Sequence, residues 1–165
     1  MRNANLPEAE KTAIRRAIEA QLRPEMPGLE ITSEAQLSEK ALDTRIKLVD
    51  LNRGGTPEVI AQSMVGCGAT GNCSFWIFRK TGRDYKLILD GYGQTFTVQK
   101  ESSNGFRDIV VASHASATDS GLTLFRYEGG QYREAGCYEA NWAPIVNGVR
   151  RELKDPLITP SSCGD

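Results

Sequence analysis

Four cysteines constrain this chain more than any other feature. Two of them close the segment Gly66-Cys67-Gly68-Ala69-Thr70-Gly71-Asn72-Cys73, where three glycines let the backbone curl back on itself. The others are Cys137 and Cys163, the second within a stretch rich in Pro, Ser and Gly. Four cysteines permit three connectivities. The glycine loop favours local pairing, Cys67 with Cys73 and Cys137 with Cys163. The loop-closure model assigns about 2 kcal/mol to the short bridge and about 3.5 kcal/mol to the long one. A zinc site is a rival reading, but the spacing is not C-x2-C and no histidine lies close by. Reduced thiols are the other alternative and would imply the cytoplasm. Disulfides imply an oxidising compartment, so the expectation is a periplasmic or secreted protein.

The totals set further bounds. A chain of 165 residues with 39% apolar residues can build a core and is too apolar for disorder. The formal net charge of −1 offers no excess of either sign to hold nucleic acid or an anionic membrane. No nucleic-acid partner is expected. No run approaches the roughly 20 apolar residues that span a bilayer, so no membrane span is expected either. The stretch MRNANLPEAEKTAIRR lacks the apolar centre of a signal peptide. The expectation is the mature part of an exported protein behind Met1.

Along the chain, helical signals come first. Asn5 is placed to cap a helix, Pro7 suits its first turn, and Glu8 and Glu10 set negative charge at the positive end of the dipole. Ile14, Ala17, Ile18 and Leu22 fall on one face, and Pro24 ends the run. Ser33 begins an SEAQ capping box for a shorter second helix. From about Thr44 the texture becomes β. RIKLVDL, PEVIAQSM, SFWIFRK, DYKLILDG, TFTVQ, FRDIVVAS, LTLFRYE and QYREAGCY are separated by the turn sequences RGG, TGRD, SSNG and EGG. The fold class is therefore α+β, mainly β: an N-terminal helix followed by about eight antiparallel strands. Residues 1–43 form the helical segment, 44–140 the β domain, and 141–165 a tail tied by a disulfide.

A repeat underlies the β region. Glu58-Val59-Ile60-Ala61 leads to Trp76-Ile77-Phe78-Arg79, a turn and Tyr85. Asp108-Ile109-Val110-Val111 leads to Leu124-Phe125-Arg126-Tyr127, a turn and Tyr132, at an offset of roughly 47–50 residues. The strands thus come from two related hairpin units. The first is preceded by Asp50-Leu51-Asn52-Arg53-Gly54-Gly55-Thr56-Pro57-Glu58, which resembles the DxNxDGxxD/E loop of FG-GAP/VCBS-type repeats over about residues 45–135. The resemblance implies a calcium site between strands, with Asp50 and Asn52 as the first two ligands. Gly54 stands where the next acid belongs, and Ser102-Ser103-Asn104-Gly105 in the second unit lacks the leading acid. The alternative is that Asp50 and Asn52 bond their own backbone and organise the turn. No other cofactor is expected.

Three further constellations bear on function. His114, the lone histidine, has Ser113, Ser116 and Asp119 nearby, but no nucleophile-elbow sequence accompanies them. Asp50, Glu58, Asp84, Asp90 and Asp108 could serve glycoside or peptidoglycan hydrolysis only if two of them met in a cleft. The aromatics Phe75, Trp76, Phe78, Tyr85, Phe125, Tyr127 and Tyr132 should divide between core and surface by strand alternation. An outward half, flanked by Arg79 and Arg126, would make a binding strip of Trp76, Phe78, Arg79, His114, Phe125, Arg126 and Tyr127. No catalytic residue is assigned. The expected function is a non-catalytic extracytoplasmic binding protein, an inhibitor or immunity protein of a cell-wall hydrolase, with a protein or glycan partner in the cell envelope. A calcium-dependent or carbohydrate-binding module and an acid-catalysed hydrolase are the alternatives. As an inhibitor the chain would present the Gly66–Cys73 loop.

Overall fold

The computed structural model describes residues 6–163, so Asn5 and its capping role lie outside the described residues. The chain forms two compact units. One runs up to Gly68 and resumes at Cys73–Gly91. The other comprises Ala69–Asn72 and the chain from Tyr92 onward.

The first unit begins with helix α1, Glu8–Leu22, with Pro7 at its N-cap. Pro24 lies within a single 3-10 turn, Arg23–Glu25, which ends the helix. Helix α2, Glu34–Leu42, is capped by Ser33, whose hydroxyl accepts the Gln36 N–H at 3.3 Å. Gln36 reaches back one residue further than a capping box requires, accepting from Thr32 N at 2.7 Å. Strands β1 Arg45–Val49, β2 Glu58–Gln62, β3 Cys73–Thr81 and β4 Asp84–Gly93 then form an antiparallel sheet in sequential order. Ile14, Ile18 and Leu22 from α1 and Leu37 and Ala41 from α2 pack with Val59, Ala61, Trp76 and Phe78. The helices therefore dock on the sheet through their apolar stripes.

Strand β3 is buried on both faces: Phe75 and Ile77 alternate with Trp76 and Phe78, and none exceeds 2% exposure. The Phe75 ring occupies the space left by Gly91, where a Cβ would come within 2.4 Å of it.

The second unit is built on a five-stranded antiparallel sheet in the order β11-β8-β7-β6-β5. Its strands are β5 Thr95–Ser103, β6 Phe106–His114, β7 Asp119–Glu128, β8 Gln131–Asn141 and β11 Leu157–Ser161. Asn104 (φ 50°) and Gly105 (φ 82°) turn β5 into β6, and Gly129 and Gly130 turn β7 into β8. Phe106 and Tyr127 stack with ring centroids 3.8 Å apart, and Tyr132 meets both edge-on. The Tyr132 hydroxyl donates to Arg107 O at 2.7 Å, so this buried tyrosine keeps its polar end paired.

All eight expected strands are present, and both expected disulfides have formed, Cys67–Cys73 and Cys137–Cys163. Residues 141–165 are more than a tail. They hold β9, Ile145–Val146, and β10, Val149–Arg150, joined through Asn147 (φ 52°) and Gly148 (φ 76°), besides β11. Asn-Gly between apolar residues is a strong hairpin signal that composition alone conceals. No helix among the described residues is long and apolar enough to cross a membrane.

Candidate functional site

Between β1 and β2 the loop Asp50–Glu58 is organised from within. Asp50 accepts Gly54 N–H at 3.0 Å and Gly55 N–H at 2.9 Å through its two oxygens. Asn52 Oδ1 accepts Gly54 N–H at 2.7 Å. Glu58, 1% exposed, accepts Leu51 N–H at 2.9 Å and Asn52 Nδ2 at 3.3 Å. Burial pushes the Glu58 carboxyl above the usual range. Its hydrogen bonds and the Arg79 charge oppose that rise, while the neighbouring Asp50 charge adds to it. A cleft of about 450 Å³ lies over this loop, lined by Asn52, Gly54, Thr56, Glu58, Arg79 and Lys80.

The donor set fits calcium poorly. A calcium ion takes about six to eight oxygens. Every side-chain oxygen of Asp50, Asn52 and Glu58 already accepts an N–H of this loop. Gly54 brings no carboxylate to the position the resemblance assigns to one.

The disulfide loop is held differently. The Cys67–Cys73 bond closes it, with Cα atoms 4.2 Å apart. Its last residue before Cys73, Asn72, is buried, and each atom of its amide finds work. Asn72 Oδ1 accepts His114 N–H at 2.8 Å. Nδ2 donates to His114 O at 3.0 Å and to Thr70 Oγ1 at 3.0 Å. Ala69, Thr70 and Gly71 remain exposed above this anchor. The result is a short, covalently closed loop whose exposed centre is braced by one of its own side chains.

The other expected site residues separate. Trp76 and Phe78 belong to the helix–sheet core of the first unit, and Phe125 and Tyr127 are each 7% exposed within the second. The exposed aromatic strip expected from alternation is therefore absent, because β3 is covered on both faces and the β6–β8 aromatics knot together. Arg79 and Arg126 alone of that strip are exposed. Arg126 Nε lies 3.4 Å from Asp108, whose carboxylate is buried with Oδ1 lacking a hydrogen-bond partner. The register Ile109↔Phe125 sets this pair side by side, and Val59↔Phe78 sets Glu58 level with Arg79 in the same way.

His114 contributes its main chain to the Asn72 anchor. The nearby hydroxyls are committed elsewhere: Ser113 donates to Gly121 O, and Ser116 and Thr118 to Asp119. Those two bonds hold the Asp119 carboxyl below its ordinary range. A Ser-His-Asp relay is not assembled. Asp84 opens β4 at the surface, and Asp90 accepts the Trp76 indole N–H. Asp50 and Glu58 are the only two of the first unit's expected acids that share a loop.

No family model, curated protein or solved structure matches the chain.

Sequence reasoning missed two features. Asn72 carried no signal beyond its place in a glycine-rich loop, since its partner is 42 residues away. Most of the exposed large apolar side chains lie between Trp142 and Ile158, in the segment expected to be a tail.

Proposed function

We propose that this protein is a non-catalytic binding module that presents the Gly66–Cys73 loop to a protein partner, in the manner of an inhibitor or immunity protein of a cell-wall hydrolase. The observation that carries this reading is the state of that loop. It is closed by a disulfide and pinned through Asn72, yet Ala69, Thr70 and Gly71 stand exposed. A loop ordered in advance loses little conformational freedom on binding, which is how compact inhibitors convert a small contact into affinity. Two disulfides fit an oxidising environment, and the periplasm or the cell exterior is the compartment proposed.

The glycan platform expected from the strand aromatics draws no support, because Trp76, Phe78, Phe125 and Tyr127 are core. Acid-catalysed hydrolysis draws none either, because the carboxylates of the Asp50–Glu58 loop are spent on that loop's own N–H groups. The likeness to FG-GAP/VCBS-type repeats is carried as part of this proposal, on the sequence pattern alone.

The test is titration of purified peptidoglycan hydrolases with the oxidised protein, following turnover and heat of binding. The expected result is stoichiometric inhibition of one class, abolished by Ala69→Arg with the circular dichroism unchanged. Inhibition that survives Ala69→Arg, or no inhibition of any class, would overturn the reading.

A further inference from the structure

Strand β11 is attached to its sheet by little besides a sulfur bridge. It pairs with β8 from Leu157↔Asn141 to Ser161↔Cys137, and Cys163, just past its end, is bonded to Cys137. No residue of β11 belongs to the buried core, and Leu157 and Ile158 are 52% and 53% exposed. Fixing the backbone of such a strand costs conformational entropy that a few ladder hydrogen bonds offset only in part. The bridge makes up the difference by keeping β11 beside β8.

The other bridge is placed differently. Cys67 and Cys73 are 6 residues apart, against 26 for Cys137 and Cys163, and a short loop closes at a smaller entropic cost. The ends of the short loop are also held without its disulfide. Ser63 N–H donates to Ser74 O at 2.9 Å, and Asn72 bonds the main chain of His114. Once opened, Cys67 and Cys73 would stay facing each other and close again. Cys163 would leave with β11. It is exposed while Cys137 is half-buried, so its sulfur is the one open to attack.

β11 also guards what it covers. Pro160 has no N–H, which suits an edge strand and discourages a further strand from pairing there. β8 contains no proline, so without β11 it would present an open edge from Cys137 to Asn141.

We propose that the Cys137–Cys163 bond is a redox-sensitive latch: a dithiol reductant opens it ahead of Cys67–Cys73, β11 undocks, and the edge of β8 is laid open. The step is thiol–disulfide exchange. A thiolate of the reductant attacks Cys163 Sγ, the bond to Cys137 breaks, and Cys137 leaves as a thiolate that takes up a proton. The reductant's second thiolate then attacks the mixed disulfide and expels Cys163. Two electrons pass to the protein, and the dithiol ends as its own disulfide. The latch is independent of the function proposed for the Gly66–Cys73 loop, whose bridge stays closed.

Stepwise reduction of the folded protein with dithiothreitol, quenched by alkylation and mapped by peptide mass, tests the order of opening. The expected intermediate carries alkylated Cys137 and Cys163 and an intact Cys67–Cys73 bond. Its hydrogen exchange should show loss of protection in β11 and at the β8 amides facing it, with β6 and β7 still protected. The double variant Cys137→Ser/Cys163→Ser should reproduce that pattern with no reductant present. Opening of Cys67–Cys73 first, or of both bonds together, would overturn the inference. So would a double variant whose β11 amides remain as protected as in the oxidised wild type. A double variant that loses protection in β6 and β7 as well would also overturn it, since β11 would then support the whole sheet.

Discussion

The Asn72 side chain bonds both main-chain groups of His114, accepting from its N–H at 2.8 Å and donating to its C=O at 3.0 Å, as a neighbouring strand would. One amide thereby terminates β6 and fixes the disulfide loop. Asn72→Ala removes these bonds and the brace on Thr70, and leaves the His114 N–H without its acceptor. The expected cost is about 2–3 kcal/mol, read from urea unfolding, together with faster proteolysis within residues 66–73. A cost below experimental error would show that the loop is held by its disulfide alone.

Glu58 gives stability an unusual dependence on pH. Its folded pKa is raised, chiefly by burial, so between the unfolded and folded values the native state binds the extra proton. The cost of burying the charge is present at neutral pH and is relieved as pH falls through the raised folded pKa. Thermal unfolding of the wild type against Glu58→Gln should therefore favour the wild type increasingly as pH drops from neutral. A salt-bridged carboxylate would give the opposite trend.

The hydrogen bonds of the Asp50–Glu58 loop predict indifference to calcium. Adding a chelator, or calcium in excess, should leave the melting temperature unchanged. Asp50→Ala should be destabilising with or without the ion, by about 1–2 kcal/mol, because Gly54 and Gly55 lose their acceptors. A melting temperature that rises with calcium would show that the loop surrenders these bonds to the metal.

The two tryptophans should report opposite environments. Trp76 is 1% exposed and Trp142 43% exposed. In dilute protein, Trp142→Phe should leave a blue-shifted emission that resists acrylamide. Trp76→Phe should leave a red-shifted, quenchable one. The second variant also removes the indole N–H from Asp90 and opens space in the helix–sheet core, so a loss of stability accompanies it.

Much of the architecture was legible because local rules decided it. The stripe Ile14-Ile18-Leu22, the Ser33 cap and the turns at Gly82, Asn104-Gly105 and Gly129-Gly130 each express a preference that tertiary contacts left intact. The disulfide pairing was legible for the same reason, since glycines around Cys67 and Cys73 permit a tight closure. The site was harder to read. Alternation says that half of a strand's side chains face inward, but only the assembled fold says whether the other face is covered as well. That is why Trp76 and Phe78 looked available and are core. The Asn72–His114 bond joins residues that no period or spacing connects. The Asn147-Gly148 turn, by contrast, was written in the sequence and overlooked beside the Pro- and Ser-containing stretch around Cys163.

The double-sided burial of β3 also bears on the chain before it folds. Ser74-Phe75-Trp76-Ile77-Phe78 is an uncharged run of high β propensity, the kind of segment that assembles into intermolecular sheets when left open. Arg79 and Lys80 follow it at once and act as gatekeepers against such stacking. The tight turn through Gly82 brings β4 alongside by purely local closure, a step that ranks among the fastest in folding. A nascent or translocating chain would thus shelter its most aggregation-prone stretch early, before contacts between distant residues have formed.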